Sequence, residues 1–424
     1  MTKDIIKKIL GKKLVFFISR YRGISRKNIL KFLHKLVCFS KSNLFGFRCK
    51  EINYLDQLNS VENFKEKDSG IISHPFYFKE NEKEFLANRS AIEIPPIKLY
   101  DLKDVIFTPE SSNILSEDKL IIERLPHIHI SISDYATGFL KRHDNDTGLI
   151  WLGKNLINLD IEGAYYLGGN GSWNYFHWMT EILPKLEFIV TPEGFARCKH
   201  IIVSSKVRGI DSFQRTLTQA LKGYDFVVHY IEPSNNYRIP SLLLVSKPSD
   251  ILFNSKGVLS RVDFSFYRKG SLDYVKSLVS RICDLEVNAF EGYGRVFLAR
   301  REGSARNYNQ LEVKQLLENQ YKFKSVYLED YKIEDQVKIF SNAKIIAGPS
   351  GAAWTNIIFC NPEVLLISWL PTNVKTFSGY STLAANYDLK MVFVEAEPQT
   401  HDQLHTGYKL SCEELTKCIV THII

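Results

Sequence analysis

The chain lacks the marks of several large protein classes. It has no C-x-x-C pair, although seven cysteines are scattered at 38, 49, 198, 283, 360, 412 and 418. An odd number at irregular spacing argues against a disulfide framework or a zinc knuckle, so these residues read as free thiols of a reducing compartment. No apolar run reaches the roughly 18 residues of a membrane-crossing helix. Neither a G-x-G-x-x-G fingerprint nor a Walker motif occurs, which weakens nicotinamide-dehydrogenase and P-loop readings. Internal repeats and low-complexity tracts are absent. Residues 14–19 are too short an apolar core for a secretory leader, and Arg20 and Arg22 follow at once. A cytoplasmic protein is therefore expected.

What is present is an ordinary globular composition. The 424 residues are 45% apolar and include 27 Phe and 21 Tyr, enough volume for two or three cores. Charge is unevenly spread. Residues 1–50 carry 14 Lys and Arg against one acid, Asp4, a balance of +13, so the +8 of the whole chain leaves −5 for the rest. Nucleic-acid binding by the whole protein loses its support. Within the basic segment, 5–17 and 29–37 mix apolar and basic residues at helical spacing. Such helices either lie on an anionic membrane surface or pack on the fold with a solvated basic face.

Residues 51–150 show little pattern beyond Pro95-Pro96 and a turn at 143–148. Further on, apolar runs at 201–204, 227–231 and 242–245 read as strands, and 213–221 as a helix between the first two. A long helix is predicted over 272–285. Then strands at 295–299, 324–328, 344–347 and 364–368 alternate with helices at 309–319, 333–341 and 354–359. That order predicts a doubly wound, Rossmann-like unit.

Two segments carry candidate chemistry. Gly348-Pro349-Ser350-Gly351-Ala352-Ala353 joins a buried strand to a short helix. Such a turn either serves backbone geometry alone or brings helix N–H groups to a diphosphate. Arg300, Arg301 and Arg306 follow the first strand of the same unit and open on the same sheet edge, where guanidinium groups suit phosphate. Ser350, Gly351, Ala352 and Asn356 complete the candidate donor-binding set. The second segment runs from Gly168 to Leu186. Gly169, Asn170 and Asn174 lie in its loop, Ser172 or Asn174 is placed to cap a helix, and Pro184 is expected to kink or end it. His177 and Glu181 stand four residues apart on one helical face, as a structural pair or as a base and its orienting carboxylate. His401 and His405 imitate a zinc motif but lack its glutamate, and Asp144-x-Asp146 lacks calcium-loop spacing. No metal site is expected.

Together these residues resemble glycosyltransferase family 61, with its DUF563-type domain. The resemblance rests on Asn174-Tyr175-Phe176-His177-Trp178 with Glu181 and Pro184, on Arg300-Arg301, on Glu334-Asp335-Gln336-Val337 and Phe340-Ser341-Asn342-Ala343, and on the segment from Gly348 to Asn356. It covers about residues 155–370. Many members have His in place of Ser350 and Glu in place of Asp335. The resemblance implies an α/β, GT-B-like fold of two Rossmann-like domains facing a cleft, and the charge pattern places a basic helical N-terminal segment, which lies outside the resemblance, ahead of them. The expected division is 1–50, an acceptor-binding domain at 51–261, and a nucleotide-sugar-binding domain at 262–424. It also implies an inverting, metal-independent enzyme that needs no cofactor beyond a nucleotide sugar, a UDP-sugar by expectation. The acceptor would be a glycan or lipid-linked glycan in bacterial capsule or lipopolysaccharide synthesis, and the basic segment would bring the enzyme to the inner membrane. His177 or Glu181 would be the base. The alternative is a non-catalytic nucleotide-sugar-binding subunit of a polysaccharide assembly complex.

Overall fold

The structure is a computed structural model that describes residues 26–40, 43–44, 46–79, 88–123, 138–251, 266–283, 293–301, 306–400 and 407–423. The expected helix at 5–17 and the His401–His405 pair lie outside the described residues.

Two sheets organise the chain. The larger has twelve strands. One end is parallel, in the spatial order Val227–Ile231, His200–Ser204, Tyr165–Leu167, Asn236–Val245. Numbered along the chain, this is the order 3-2-1-4 of a Rossmann half. The expected parallel unit is thus present but is only part of its sheet. Asn236–Val245 pairs antiparallel with the long strand Ile97–Phe107, and an antiparallel region continues through Ile114–Ser116, Lys119–Ile122, Phe47–Tyr54, Thr147–Trp151 and Leu140–His143. Phe47–Tyr54 and Lys119–Ile122 are the exception within it, running parallel. This region hides in sequence because its strands are short and some bury both faces, so period-two alternation fails. The 143–148 turn closes the Leu140–His143 hairpin. Asp144 Oδ1 accepts from Asp146 N at 3.1 Å and Thr147 N at 2.8 Å, an Asx-type turn rather than an ion loop.

The second sheet has seven strands in the order Lys324–Val326, Arg295–Leu298, Ile345–Pro349, Leu365–Pro371, Lys390–Pro398, Tyr408–Leu410, with Phe76–Tyr77 added beside Lys390–Pro398. The first five are parallel and follow the chain order 2-1-3-4-5 of a doubly wound sheet. Strand positions match the apolar runs because both faces are covered, which makes each strand a near-continuous hydrophobic run. The covering helices include Lys269–Ser280, Gln310–Gln315 and Ile333–Asn342. One hydrophobic core takes in residues of both sheets, from Leu99, Tyr165 and Val203 to Leu298, Ile346 and Phe393.

The reading of every cysteine as a free thiol is corrected at one pair. Cys38 and Cys49 form a disulfide that joins the helix Arg26–Ser40 to the strand Phe47–Tyr54. Irregular spacing along the chain does not report the 5.1 Å separation of their Cα atoms, which packing of the helix on the strand creates. Cys198, Cys283, Cys360, Cys412 and Cys418 are free.

Candidate active site

Strand order reverses once in each parallel region, and ligands of open α/β sheets bind beyond the carboxyl ends of strands at such switch points. In the larger sheet the switch lies between Tyr165–Leu167 and Asn236–Val245. In the second it lies between Arg295–Leu298 and Ile345–Pro349. The two segments singled out in the sequence fall at these two places.

At the first switch, the chain leaves Tyr165–Leu167 through glycines. Gly169 has φ +150° and Gly171 φ +80°, backbone that favours glycine. A Cβ on Gly168 would meet the Tyr166 ring at 2.7 Å. The loop is seated on residues 108–113. Gly169 N donates to Pro109 O at 3.3 Å, Asn170 N to Ser112 Oγ at 2.8 Å, and Ser172 Oγ to Pro109 O at 3.1 Å. The backbone N–H groups of Gly169 and Asn170 are thus committed to holding the loop. Asn174 caps the next helix, its Oδ1 accepting from Phe176 N at 2.9 Å. The loop also brings up a pair absent from the sequence reading. Glu110 is fully buried and ion-paired with Lys206, whose ammonium stands 5.7 Å from the Trp173 ring centre.

The helix itself changes pitch. Tyr175–His177 is α-helical, Trp178–Ile182 widens into a π turn, and Leu183–Lys185 tightens into a 3-10 turn at Pro184, which has no N–H to give. His177 and Glu181 are both buried, and His177 Nδ1 contacts Glu181 Oε2. The carboxylate's other oxygen accepts from Ile251 N at 2.9 Å. That amide lies six residues beyond the carboxyl end of Asn236–Val245, so the segment leaving the second strand of the switch point holds Glu181, and Glu181 holds the imidazole.

Behind this couple lies a group of charges whose partnership the sequence does not show. Lys247 Nζ meets Asp250 Oδ1 at 3.0 Å, and Lys247 N donates to Glu123 Oε1. Lys185 is buried one helical turn beyond Glu181. Burial pushes the Lys185 amine down, against the pull of Glu123, Glu181 and Asp250. Burial also opposes the charge of Lys247, but Asp250, Glu181 and Glu123 outweigh it and hold that amine well above the ordinary range. Burial raises the Glu123 carboxyl, with both lysines opposing. Glu123, Glu181 and Asp250 are thus gathered around Lys185 and Lys247.

At the second switch, Arg300 crosses from the first strand to the glycine loop. Gln310 clamps its backbone, accepting from Arg300 N at 2.7 Å and donating to Arg300 O at 2.6 Å. The guanidinium donates to the Ser350 carbonyl through Nη2 and to Arg306 O at 3.4 Å through Nη1. A Cβ on Gly351 would stand 2.8 Å from Nη2, and one on Gly348 would stand 2.7 Å from Leu298 Cβ. Both glycines therefore serve close approach between the two switch-point strands. Ser350 is buried, with its N–H given to Trp369 O at 3.2 Å. Ala352 opens a 3-10 turn, Ala352–Phe359, whose first internal bond is Trp354 N to Gly351 O at 3.1 Å. The amides of Ala352 and Ala353 precede that bond and have no acceptor inside the turn.

Two residues of the expected donor set are placed otherwise. Arg301 is exposed and bound to Asp330 at 2.6 Å, with Glu329 at 3.5 Å, so its fork is engaged by carboxylates of the neighbouring strand's loop. Asn356 is fully buried, and its amide is spent inside the protein. Its Oδ1 accepts from Tyr175 Oη at 2.7 Å, and its Nδ2 donates to Gln336 Oε1 at 2.9 Å. Gln336 Nε2 donates onward to Leu328 O and Tyr331 O, each at 3.0 Å. Arg306 has φ +144° and meets Arg300 through its carbonyl.

The Tyr175–Asn356–Gln336 chain decides the architecture of the site. It fastens the His177 helix to the turn that follows the glycine loop, and Phe176 adds a ring contact with Tyr380 at 5.0 Å. A buried histidine–carboxylate couple at one switch point is thereby held to an arginine-lined glycine loop at the other.

Such a pairing of sites on two α/β sheets can serve group transfer, a glycine loop suiting an anionic leaving group and a histidine–carboxylate couple suiting proton acceptance. Residues 175–367 match the family Glycosyltransferase 61, and this match supports a glycosyltransferase enzyme. The match begins at Tyr175 and takes in His177, Glu181, Arg300 and Asn356, while Gly169, Asn170, Asn174 and Glu110 precede it. No curated protein matches the chain.

Proposed function

We propose that the protein is an inverting glycosyltransferase of the GT-B arrangement that takes its sugar from a UDP-sugar. The units would be residues 51–261 for the acceptor and 262–424 for the donor. The observation that carries this reading is the Tyr175–Asn356 bond, which joins the candidate base to the candidate diphosphate loop.

In this reading the diphosphate lies against Arg300 and the amides of Ala352 and Ala353, with Ser350 and Gly351 shaping the floor. The acceptor hydroxyl approaches His177. Since Nδ1 faces Glu181, Nε2 receives the hydroxyl proton as the acceptor oxygen bonds to the anomeric carbon. The bond from that carbon to the diphosphate breaks on the opposite face, and UDP departs with the electron pair. Arg300 and the turn's amides stabilise the charge that develops there, a task other enzymes give to a divalent ion, so transfer proceeds without one. Glu181, which touches Nδ1, stabilises the imidazolium. A glycan or lipid-linked glycan of a bacterial surface polysaccharide, built on the cytoplasmic side of the membrane, is the acceptor class we favour.

The test is thermal unfolding with a panel of nucleotides and nucleotide sugars, followed by donor hydrolysis. UDP or one UDP-sugar should raise the transition temperature in wild type and not in Arg300→Ala. His177→Ala should keep the shift and lose about 10²- to 10⁴-fold of turnover. No shift with any nucleotide in folded protein overturns the donor site. A shift with no turnover in wild type, with or without acceptor glycans, points to the non-catalytic subunit.

A further inference from the structure

The helix Arg26–Ser40 has two unlike faces. Leu33, His34 and Val37 are buried, with Ile29 and Leu30 half-buried beside them, and this side packs on Leu149, Phe47 and Cys49. The opposite side exposes Phe32 at 64%, Leu36 at 41% and Phe39 at 92%. At about 100° per residue, Lys31, Lys35, Phe39, Phe32 and Leu36 fall in that order across one continuous arc of about 140°. Lys31 and Lys35, both exposed, border the apolar trio on one flank.

Large apolar side chains scattered singly over a surface need no explanation, but three on one helix face mark a contact site. Its orientation is fixed from beneath. The Cys38–Cys49 disulfide ties the helix to the sheet, and His34 Nε2 lies 3.1 Å from Thr147 Oγ1. Charge indicates what the face meets. Fourteen Lys and Arg against one acid in residues 1–50 suit an anionic surface, and the remaining chain is net negative. Among the described residues no helix is long and apolar enough to cross a membrane, so the contact would be peripheral.

We infer that this face docks the protein on an anionic lipid bilayer. Phe32, Leu36 and Phe39 enter the headgroup boundary, and Lys31 and Lys35 lie on lipid phosphates. The inference stands apart from the donor chemistry, so a failed nucleotide assay leaves it untouched.

Co-sedimentation of the full chain with vesicles decides it. Binding is expected to phosphatidylcholine vesicles containing phosphatidylglycerol, to weaken with salt, and to be absent with phosphatidylcholine alone. Phe32→Ser with Phe39→Ser should abolish it without moving the thermal transition, since both side chains are already in solvent. Lys31→Gln with Lys35→Gln should weaken it about thirty-fold. Equal binding to neutral and anionic vesicles, or none to either, overturns the inference. Full binding by the serine variant would place the contact on another segment and overturn it for this helix. A self-association that the serine variant abolishes, without vesicle binding, would assign the face to a second copy of the chain.

Discussion

Replacing Asn356 with alanine is expected to cost about 2–4 kcal/mol of stability while leaving nucleotide contacts in place. The substitution removes two hydrogen bonds, the one accepted from Tyr175 Oη and the one donated to Gln336 Oε1. Gln336 cannot recover by turning its amide, because its Nε2 already serves Leu328 O and Tyr331 O. Its oxygen is left buried without a donor, at about 1–3 kcal/mol, and the lost Tyr175 bond adds about 1 kcal/mol. Urea unfolding followed by tryptophan fluorescence measures the change, with Trp354 fully buried two residues away. The midpoint should fall at an unchanged slope. Tyr175→Phe alone should cost about 1 kcal/mol, and the double variant less than the sum, because the two share one bond. An unchanged midpoint in Asn356→Ala, together with tenfold weaker binding of UDP, would refute the reasoning (the tenfold equals about 1.4 kcal/mol). The amide would then be a donor contact and not a tie between the two loops.

Two further outcomes are expected. Gly351→Ala places a Cβ 2.8 Å from Arg300 Nη2, so the guanidinium must swing away and the nucleotide-induced thermal shift should shrink, with the circular dichroism spectrum of the wild type retained. An undiminished shift would show that Arg300 does not meet the ligand from its position over Ser350. The second concerns pH. Burial, against the pull of Asp144 and with help from Arg142 and His143, lowers His34, and burial likewise lowers His143. Both rings ionise more readily in the unfolded chain, where histidine titrates near about 6.5. The unfolded state therefore holds more protons below about pH 6.5, so stability is intact above that value and declines as pH falls toward the lower native values. Hydrogen exchange of the helix Arg26–Ser40, corrected for intrinsic rates, should lose protection in that window. Protection that stays constant there would remove the two histidines as its anchors.

Much of the second sheet was legible because its strands are buried on both faces and its helices are amphipathic. The expected strand at 344–347 is Ile345–Pro349, and the expected helix at 333–341 is Ile333–Asn342. The His177–Glu181 pair was legible because spacing of four on a helix brings side chains together whatever surrounds them, and here even a π turn leaves them in contact. The antiparallel half of the larger sheet was not, since its strands are short and pair across long separations. In the second sheet, Phe76–Tyr77 was hidden for the same reason, since it pairs with Lys390–Pro398 more than three hundred residues away.

Local rules determined the elements, the glycine loops, the basic bias of the first fifty residues and the two candidate segments, because each depends on neighbours within a few positions. Tertiary structure decided what those residues touch. It turned Asn356 inward, gave Arg301 to Asp330, and joined Cys38 to Cys49. It also gathered Glu123, Lys185, Lys247 and Asp250 behind His177. Buried polar groups must find partners wherever the fold supplies them, and strand order, which no local pattern encodes, sets which distant residues are within reach.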